Sequence, residues 1–487
     1  MNKKSIFWLI SLGLGSFAGQ AQAQERAYDL RSAIAQALEQ NYNIRISRID
    51  PDLARQNTRS AQGAFDPALE SSYTYSLTEL DGFTLDDETA SGSVGVGGAL
   101  PWGTSYFLGV EANDQTTPFN SITQSFTDNV SSFSGITVTQ PILRNFGLSG
   151  SYSDVRIARK GELVSKEELR LTVMSTLANT ISSYQDLYFA QENLRISIRN
   201  RNLAKQLLSD NRKRVETGVM APLDIVQAES EAALREVSVI SAGALLVRAE
   251  NRLKALLFSD TEDLANIELK IAPPVEPSQV DSDLRTDFLT ALNMRPDYLQ
   301  SEAGLDIRSL QVNRARRNAL PKFDLVASYG RYGLDAELSE SINESLRDGR
   351  DSYSIGAVVS IPFPNRQRSA EKLTAYLRKN RAELETAQLK QSIQLDLDDI
   401  ITQVNADWER IQAARTAREL SEKSLQAEEK KLQAGTSSTF IVLRLQGDLA
   451  IAEIREIIAL TDYAKTVANY YFTMGTLLEE YDVSVEG

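Results

Sequence analysis

The chain of 487 residues predicts an α+β membrane protein in which long α-helical hairpins and clusters of β-strands are laid out twice in tandem. Three observations carry that prediction. Landmarks in the first half recur in the second. Two very long stretches keep a helical seam. Several runs of about ten residues alternate between apolar and small or polar side chains, the pattern of a transmembrane β-barrel strand.

The repeat sets the frame. Ala37-Leu38, Asn41-Tyr42-Asn43-Ile44, Pro67 and Tyr75 recur as Ala291-Leu292, Arg295-Pro296-Asp297-Tyr298, Pro321 and Tyr329, at a constant offset of 254. Gln140-Pro141-Ile142 recurs as Ile361-Pro362-Phe363, and Val215-Glu216-Thr217-Gly218 as Leu432-Gln433-Ala434-Gly435. One helix–strand–strand–helix–turn–helix unit is therefore used twice. The expected boundaries are a signal peptide over 1–23, a first repeat over 24–270 and a second over 271–487. The first repeat has strands over about 68–143 and a helical hairpin over about 152–259. The second has strands over about 321–363 and a hairpin over about 366–478.

The N-terminus reads as a secretory signal. Lys3 and Lys4 precede an apolar stretch from Ile6 to Ala18, and Ala21-Gln22-Ala23 is a small-x-small site, which places cleavage before Gln24. An apolar stretch of that length is too short to span a bilayer. Nothing further along is long enough for a transmembrane helix, so a membrane-embedded form has to be a closed barrel.

The helical stretches run from Asp154 to Arg214 and from Ser369 to Leu432. Ile393, Leu397, Ile400, Val404, Ile411 and Ala414 form a mostly 4-3 seam, which Leu177, Ile181, Tyr184 and Tyr188 repeat in the first half. Helices of this length exceed the globular range and imply an extended rod. Each reverses at a glycine, Gly218 or Gly435, the residue that takes a left-handed C-cap at low cost. Pro222 stands where the first return helix starts.

The strand clusters read differently. In Tyr73-Thr74-Tyr75-Ser76-Leu77 one face is aromatic or aliphatic and the other hydroxylated. Tyr106, Leu108, Val110 and Ala112 stand opposite Ser105, Gly109, Glu111 and Asn113, and Tyr353 to Phe363 alternates likewise. A half-buried sheet in a soluble sandwich gives the same alternation; the signal peptide and long helices favour the barrel. Two such clusters cannot close a barrel alone, so several chains share one wall. The polar stretches Asp81 to Thr89, Asn113 to Asn129 and Arg331 to Arg350 read as exposed loops. Trp102, Tyr106 and Phe107 read either as an interfacial aromatic belt or as core. Gly95-Val96-Gly97-Gly98 reads as a glycine-rich strand, since its spacing does not fit a phosphate loop.

The chain has no cysteine and no histidine, which removes disulfides, thiolate chemistry, histidine acid–base catalysis and the usual zinc sites. No catalytic, cofactor or metal residue is assigned. The formal charge of −14, or −16 without Lys3 and Lys4, argues against a nucleic-acid partner.

In these motifs and their doubled order, nearly the whole mature chain resembles the TolC family of outer-membrane efflux channels. The resemblance implies a homotrimer whose protomers share one barrel through the outer-membrane lipid, continued by an α-helical tunnel in the periplasm. It implies a periplasmic adaptor protein and an inner-membrane transporter as partners, and a passive exit duct for drug efflux or type I secretion. It also places the hairpin tips farthest from the membrane. Gly218, Val219, Gly435 and Ser437 are therefore expected to contact the adaptor. A pair of acids that narrows the periplasmic entrance in the family falls here on Ile441 and Arg444, a departure from the pattern, whereas Asp224 matches a family acid. Asp224 and Arg444 are the expected gate, joined as a charge pair or short polar network within or across protomers. A periplasmic coiled-coil scaffold without channel activity is the alternative reading.

One further expectation comes from length. Pro67 to Pro141 spans 74 residues and Pro321 to Pro362 spans 41. The surplus holds two alternating runs, Ser93 to Leu100 and Thr104 to Asn113, around Pro101-Trp102-Gly103, a hairpin signal. Placed in the wall, as its tight turn favours, this hairpin raises the family's usual four strands per protomer to six and widens the pore; folded above the membrane it becomes a lid and the barrel keeps its ordinary size.

Overall fold

The structure, a computed structural model, describes residues 24–78, 87–120, 125–218, 221–260, 267–273 and 276–485. The targeting segment 1–23, the stretch 81–86 and the tip residue Val219 lie outside the described residues. The chain packs as two compact units. One takes residues up to Tyr42, Thr176–Val280 and Gln403–Asn469; the other takes Asn43–Ser175, Asp281–Thr402 and the residues from Tyr470 on. Each draws on both halves of the sequence.

The second unit holds six antiparallel strands: β2 (Ala68–Thr78), β3 (Asp87–Ala99), β4 (Ser105–Asn120), β5 (Ser125–Pro141), β7 (Lys322–Asp335) and β8 (Arg350–Ser360). They pair in chain order as one sheet. The surplus hairpin is thus β3 and β4, inserted between β2 and β5 with Ala68↔Gly97 on one side and Ser105↔Thr139 on the other, the β4–β5 register shifting once between Thr117 and Asn120. Its turn closes through Gly103 N–H donating to the Leu100 carbonyl at 2.8 Å, with Gly103 at φ +101°.

In the described parts of all three polar stretches expected to be loops the chain forms regular elements, and Asp87 to Thr89 already belong to β3. β4 continues to Asn120 and β5 begins at Ser125, because a backbone ladder pairs N–H with C=O and needs no apolar alternation. Between Arg331 and Arg350 the chain completes β7 and forms a helix, α8 (Leu338–Arg347). Ser341 and Ser345, one turn apart and both buried, seat that helix on the sheet. Ser132 Oγ donates to the Ser341 carbonyl at 2.7 Å, and the Ser134 and Ser345 hydroxyls lie 2.6 Å apart. At the other limit β8 stops at Ser360, short of the expected end, before Pro362, which has no N–H to give a ladder.

Also in this unit are α2 (Tyr42–Ser47, with Tyr42 itself in the first), α3 (Asp50–Gln62), α6 (Leu284–Met294) and α7 (Pro296–Asn318). Asp283 caps α6, its carboxylate accepting from Thr286 N–H at 3.0 Å. Tyr470 and Asp287 are both buried, and the Tyr470 hydroxyl donates to Asp287 Oδ2 at 2.8 Å. Burial and that carboxylate push the Tyr470 phenol far above its ordinary range.

Two helical hairpins follow the strands: α4 (Ser153–Glu216) with α5 (Pro222–Leu257), and α9 (Arg366–Gln433) with α10 (Thr439–Met474). α4, α9 and α10 contribute residues to both units, and α5 lies wholly in the first. In the first unit β1 (Gln24–Tyr28) pairs in parallel with β6 (Ile267–Ile271), and α1 (Leu30–Gln40) follows a capping Asp29. Tyr28, Ala33, Ala37, Tyr184, Leu187, Leu253, Leu257 and Ile267 form its core. Tyr184 donates to the Ala272 carbonyl at 2.9 Å, and burial raises its phenol to about 12.

The seam read from the sequence is buried: Ile393, Leu397, Val404 and Ile411 on α9, Leu177 and Ile181 on α4. Within it Asp407 is 1% exposed. It accepts from Thr466 Oγ1 of α10 at 2.7 Å and Gln403 Nε2 at 2.9 Å, and pairs with Arg410 at 2.8 Å, so the buried carboxylate is satisfied on every side. Among the described residues no helix is long and apolar enough to cross a membrane.

Candidate functional site

The hairpin tips are built by one local device. Gly218 at φ +73° and Gly435 at φ +77° take the left-handed conformation that ends a helix. At the second tip Gly435 N–H donates to the Leu432 carbonyl at 3.1 Å and Thr436 N–H to Lys431 at 2.9 Å, the paired bonds of a Schellman cap. At the first, Gly218 N–H donates to Val215 at 2.9 Å. Pro222 then opens α5 at its first position.

Asp224 serves the turn itself. Its Oδ2 accepts from Ala221 N–H at 3.2 Å, and buried Asn211 of α4 reaches the Asp224 carbonyl at 3.5 Å. Arg444 is exposed and its nearest acid is Asp448, one turn along α10, at 3.9 Å. The structure therefore does not bring Asp224 and Arg444 together within one chain. The reason is local: an acid at the third position of a helix is captured by the free N–H of the capping residue three places before it.

Ser437 is also engaged. Its hydroxyl donates to Glu428 Oε1 at 2.5 Å, and Lys431 Nζ lies 2.9 Å from the same carboxylate. These bonds, the serine's first and the lysine's second, hold Glu428 below the usual glutamate range. The clasp closes the turn from nine residues away, a spacing with no local sequence signature.

The sheet has two unlike faces. Leu69, Tyr73, Val96, Leu108, Ile136, Tyr329 and Ile355 share one, since the cross-strand row Leu69–Val96–Leu108–Ile136–Tyr329–Tyr353 runs unbroken across all six strands. These side chains are bare: Leu69 and Tyr353 are each 80% exposed and Ile355 83%. Ser72, Thr74, Ser93, Asn113, Ser131, Ser328 and Ser354 occupy the other, where hydroxyls pair across strands, Ser72 with Ser93 and Ser328 with Ser354, both at 2.8 Å. Tyr106 lies on the apolar face. Phe107, one residue on, turns to the opposite face, so these two do not join a single belt; strand alternation forbids it.

A row on the hydroxyl face escaped the sequence reading. Gly95, Gly109, Gly135 and Gly330 stand directly opposite one another on β3, β4, β5 and β7. A Cβ at Gly109 would meet the Val94 carbonyl at 2.4 Å and the Phe107 ring at 2.9 Å; one at Gly135 would meet the Tyr329 carbonyl at 2.4 Å and the Phe133 ring at 2.8 Å. The two rings lie over glycine backbone. Only the register reveals that these glycines form one line. Among the described residues no cluster of acids is placed to hold a metal ion.

Residues 289–476 match the family described as outer membrane efflux protein. The chain is 23% identical over 347 residues to outer membrane efflux protein BepC of Brucella suis, covering 69% of this chain and 70% of that protein. Among solved structures, the outer-membrane channel OprN superposes with a TM-score of 0.70 at 16% identity, covering 92% of this chain and 90% of that one. The outer membrane channel CmeC of Campylobacter jejuni superposes at 0.68 and 16%, covering 92% and 86%. Residues 289–476 thus match the outer membrane efflux protein family, and the chain takes the fold of these solved outer-membrane channels.

Proposed function

We infer that this chain is an outer-membrane exit duct, a passive conduit for substrates that works with a periplasmic adaptor protein and an inner-membrane transporter. The observation that carries the reading is the sheet, which presents a hydroxylated face and an apolar one, bare around Leu69, Tyr353 and Ile355 and covered by α8 around Ser132 and Ser134. Side chains as exposed as Leu69, Tyr353 and Ile355 are stable against lipid, and a hydroxylated face suits a water-filled lumen. A periplasmic scaffold gives no account of that surface. Copies of the chain share the barrel, and exposed aliphatic residues along α5, among them Leu223, Val226, Leu234, Val237 and Ile240, supply a face for the neighbouring protomer.

In this reading the turns at Gly218, Val219, Gly435 and Ser437 contact the adaptor. Cysteine at Thr436, which leaves the Ser437 clasp intact, crosslinks to the adaptor, whereas crosslinks found only near the strands would refute the assignment. Asp224 and Arg444 act at the periplasmic entrance across protomers, since within one chain each is engaged locally. The deciding experiment is ion conductance in a planar bilayer, together with alkaline washing of membranes. A duct conducts and stays with the outer membrane; a chain that washes off and passes no current is not one.

A further inference from the structure

We propose that the hydroxylated face of the sheet carries a binding bay for an organic cation, in which Glu111 takes the charge and the rings of Phe107, Phe133 and Tyr332 take an aromatic or other apolar body. The proposal rests on the exit-duct reading above, which turns this face to the lumen. It adds a site on the wall of the duct and the chemical class of solute that the wall holds.

Register assembles the bay. Glu111 stands on β4 between Ser93 of β3 and Phe133 of β5, and Tyr332 of β7 follows Phe133 in the same row. Residues directly opposite in an antiparallel pair have Cβ atoms about 4.5–5.5 Å apart, so Glu111 and Phe133 are immediate neighbours. Ser72, Ser93, Glu111, Asn113, Phe133 and Tyr332 line a hollow of about 390 Å³, a size that suits a small organic molecule.

The glycine row seats two of the rings. A Cβ at Gly95 or Gly109 would come within 2.7 and 2.9 Å of the Phe107 ring, and one at Gly135 or Gly330 within 2.8 Å of the Phe133 ring. Each ring therefore rests on glycine backbone with no side chain beneath it, and its other side is left to the lumen. A cation is attracted to the face of such a ring when it lies within about 6 Å of the centre. Gly109 is one same-face step, about 7 Å, before Glu111 on β4, which brings the Phe107 ring beside the carboxylate.

The charge of Glu111 is uncommitted. Among the described residues its exposed carboxylate makes no ion pair and no hydrogen bond. On the same face Lys322 is paired with Asp324 at 3.2 Å. Arg350 ends the row of Glu111 on β8, three strands and about 14 Å away across the sheet. A second acid, Glu70, begins the adjacent glycine row, so the field here is negative. Aromatic side chains are out of place on a hydroxylated lining, and among the described residues of this face they are Phe107, Phe133 and Tyr332. All three gather around one free acid. That grouping favours an organic cation over a metal ion, which takes oxygen ligands.

Saturation-transfer NMR on the full chain in a maltoside detergent at low salt compares benzyltrimethylammonium, tetramethylammonium and benzenesulfonate. Benzyltrimethylammonium is expected to bind about tenfold more tightly than the other two, of which one lacks the ring and the other carries the opposite charge. Equal binding of benzenesulfonate would mean apolar contact without charge, and equal binding of tetramethylammonium would mean charge without the rings; either overturns the proposal. Glu111→Gln is expected to weaken benzyltrimethylammonium about fivefold, and Phe133→Ala about threefold while moving tetramethylammonium by less than about twofold. An unchanged affinity in Glu111→Gln would also overturn it. The comparison of probes on the unaltered chain decides the matter where a variant fails to fold.

Conductance in planar bilayers separates the bay from the duct. Glu111→Gln is expected to shift ion preference from potassium toward chloride, because each copy loses one negative charge from the lumen. An unshifted preference would take Glu111 out of the lumen and overturn its assignment. A chain that conducts and fails the comparison of probes loses the bay and keeps the duct. A chain that passes no current and is released by alkali loses the duct reading itself.

Discussion

The two helical hairpins share a plan and a glycine turn, yet their tips are held by different forces. Toward its tip the first is laced by charge across its helices, Arg212 of α4 to Glu229 of α5 at 2.5 Å and Lys205 to Glu236 at 2.8 Å, with Arg201 approaching Glu236 at 3.6 Å higher up. The second joins α9 to α10 by charge higher up, where Arg418 meets Glu456 at 2.5 Å and Arg410 approaches Asp462 at 3.7 Å. Beyond those, among the described residues, its tip relies on buried Leu425 and Val442 and on the clasp from Ser437 to Glu428. Duplication conserved the backbone device and left the interhelical contacts free to diverge. An αL glycine is set by local sterics, whereas the contacts between helices tolerate any pairing that satisfies burial.

The largest expected effect breaks the apolar tip. Leu425→Ala should cost about 2–5 kcal/mol locally, through lost burial and the cavity left behind. Hydrogen exchange should speed up over 419–445 and not over 200–230. Equal acceleration in both hairpins would show that the tips unfold as one unit. Next, Asp407→Ala removes the acceptor for Thr466 and Gln403 in the seam and should cost about 1–3 kcal/mol. Chemical denaturation reports it, and Asp407→Asn should recover part of the loss by keeping an acceptor.

The clasp gives a pH signature. Glu428 titrates below the ordinary glutamate value, so its contribution is complete above that value and lost as pH falls through the lowered one. Amide exchange at Gly435 to Ser438, corrected for the intrinsic pH dependence, should rise on acidification below about pH 4.5. In Glu428→Gln it should be fast throughout and nearly independent of pH. A wild-type tip that shows no rise down to pH 3 would exclude the clasp. The smallest effect concerns the charge lacing. Arg212→Ala should cost about 0.2–1 kcal/mol, since the pair with Glu229 is half exposed. Raising salt should loosen the first tip more than the second, because screening acts on charges and not on Leu425 and Val442. The reverse order would undo the comparison.

Much of the architecture was legible because it repeats a short-range rule. The seam of Ile393, Leu397, Val404 and Ile411 follows from helical period, the reversals at Gly218 and Gly435 from the left-handed region, and the two faces of β2 and β8 from strand period. The strand ends at Asn120 and Ser125 and the helix α8 depart from the loops that their polar composition implies. Backbone ladders form without apolar alternation, and Ser341 and Ser345 look solvated until the sheet lies beneath them. Asp224 was read by its family position, and its capture by Ala221 N–H depends on where α5 begins.

By itself, the sequence determined the doubled plan, the long hairpins, their glycine tips and the alternation of the strands, since each rests on contacts between residues a few positions apart. Only the tertiary structure decided that β3 and β4 enter the sheet between β2 and β5. It alone aligned Gly95, Gly109, Gly135 and Gly330 in one row, closed Ser437 onto Glu428, and kept Asp224 from Arg444 within the chain. Those outcomes depend on register and on which helix start or carboxylate is nearest in space, and a one-residue shift would change each of them while leaving every local pattern intact.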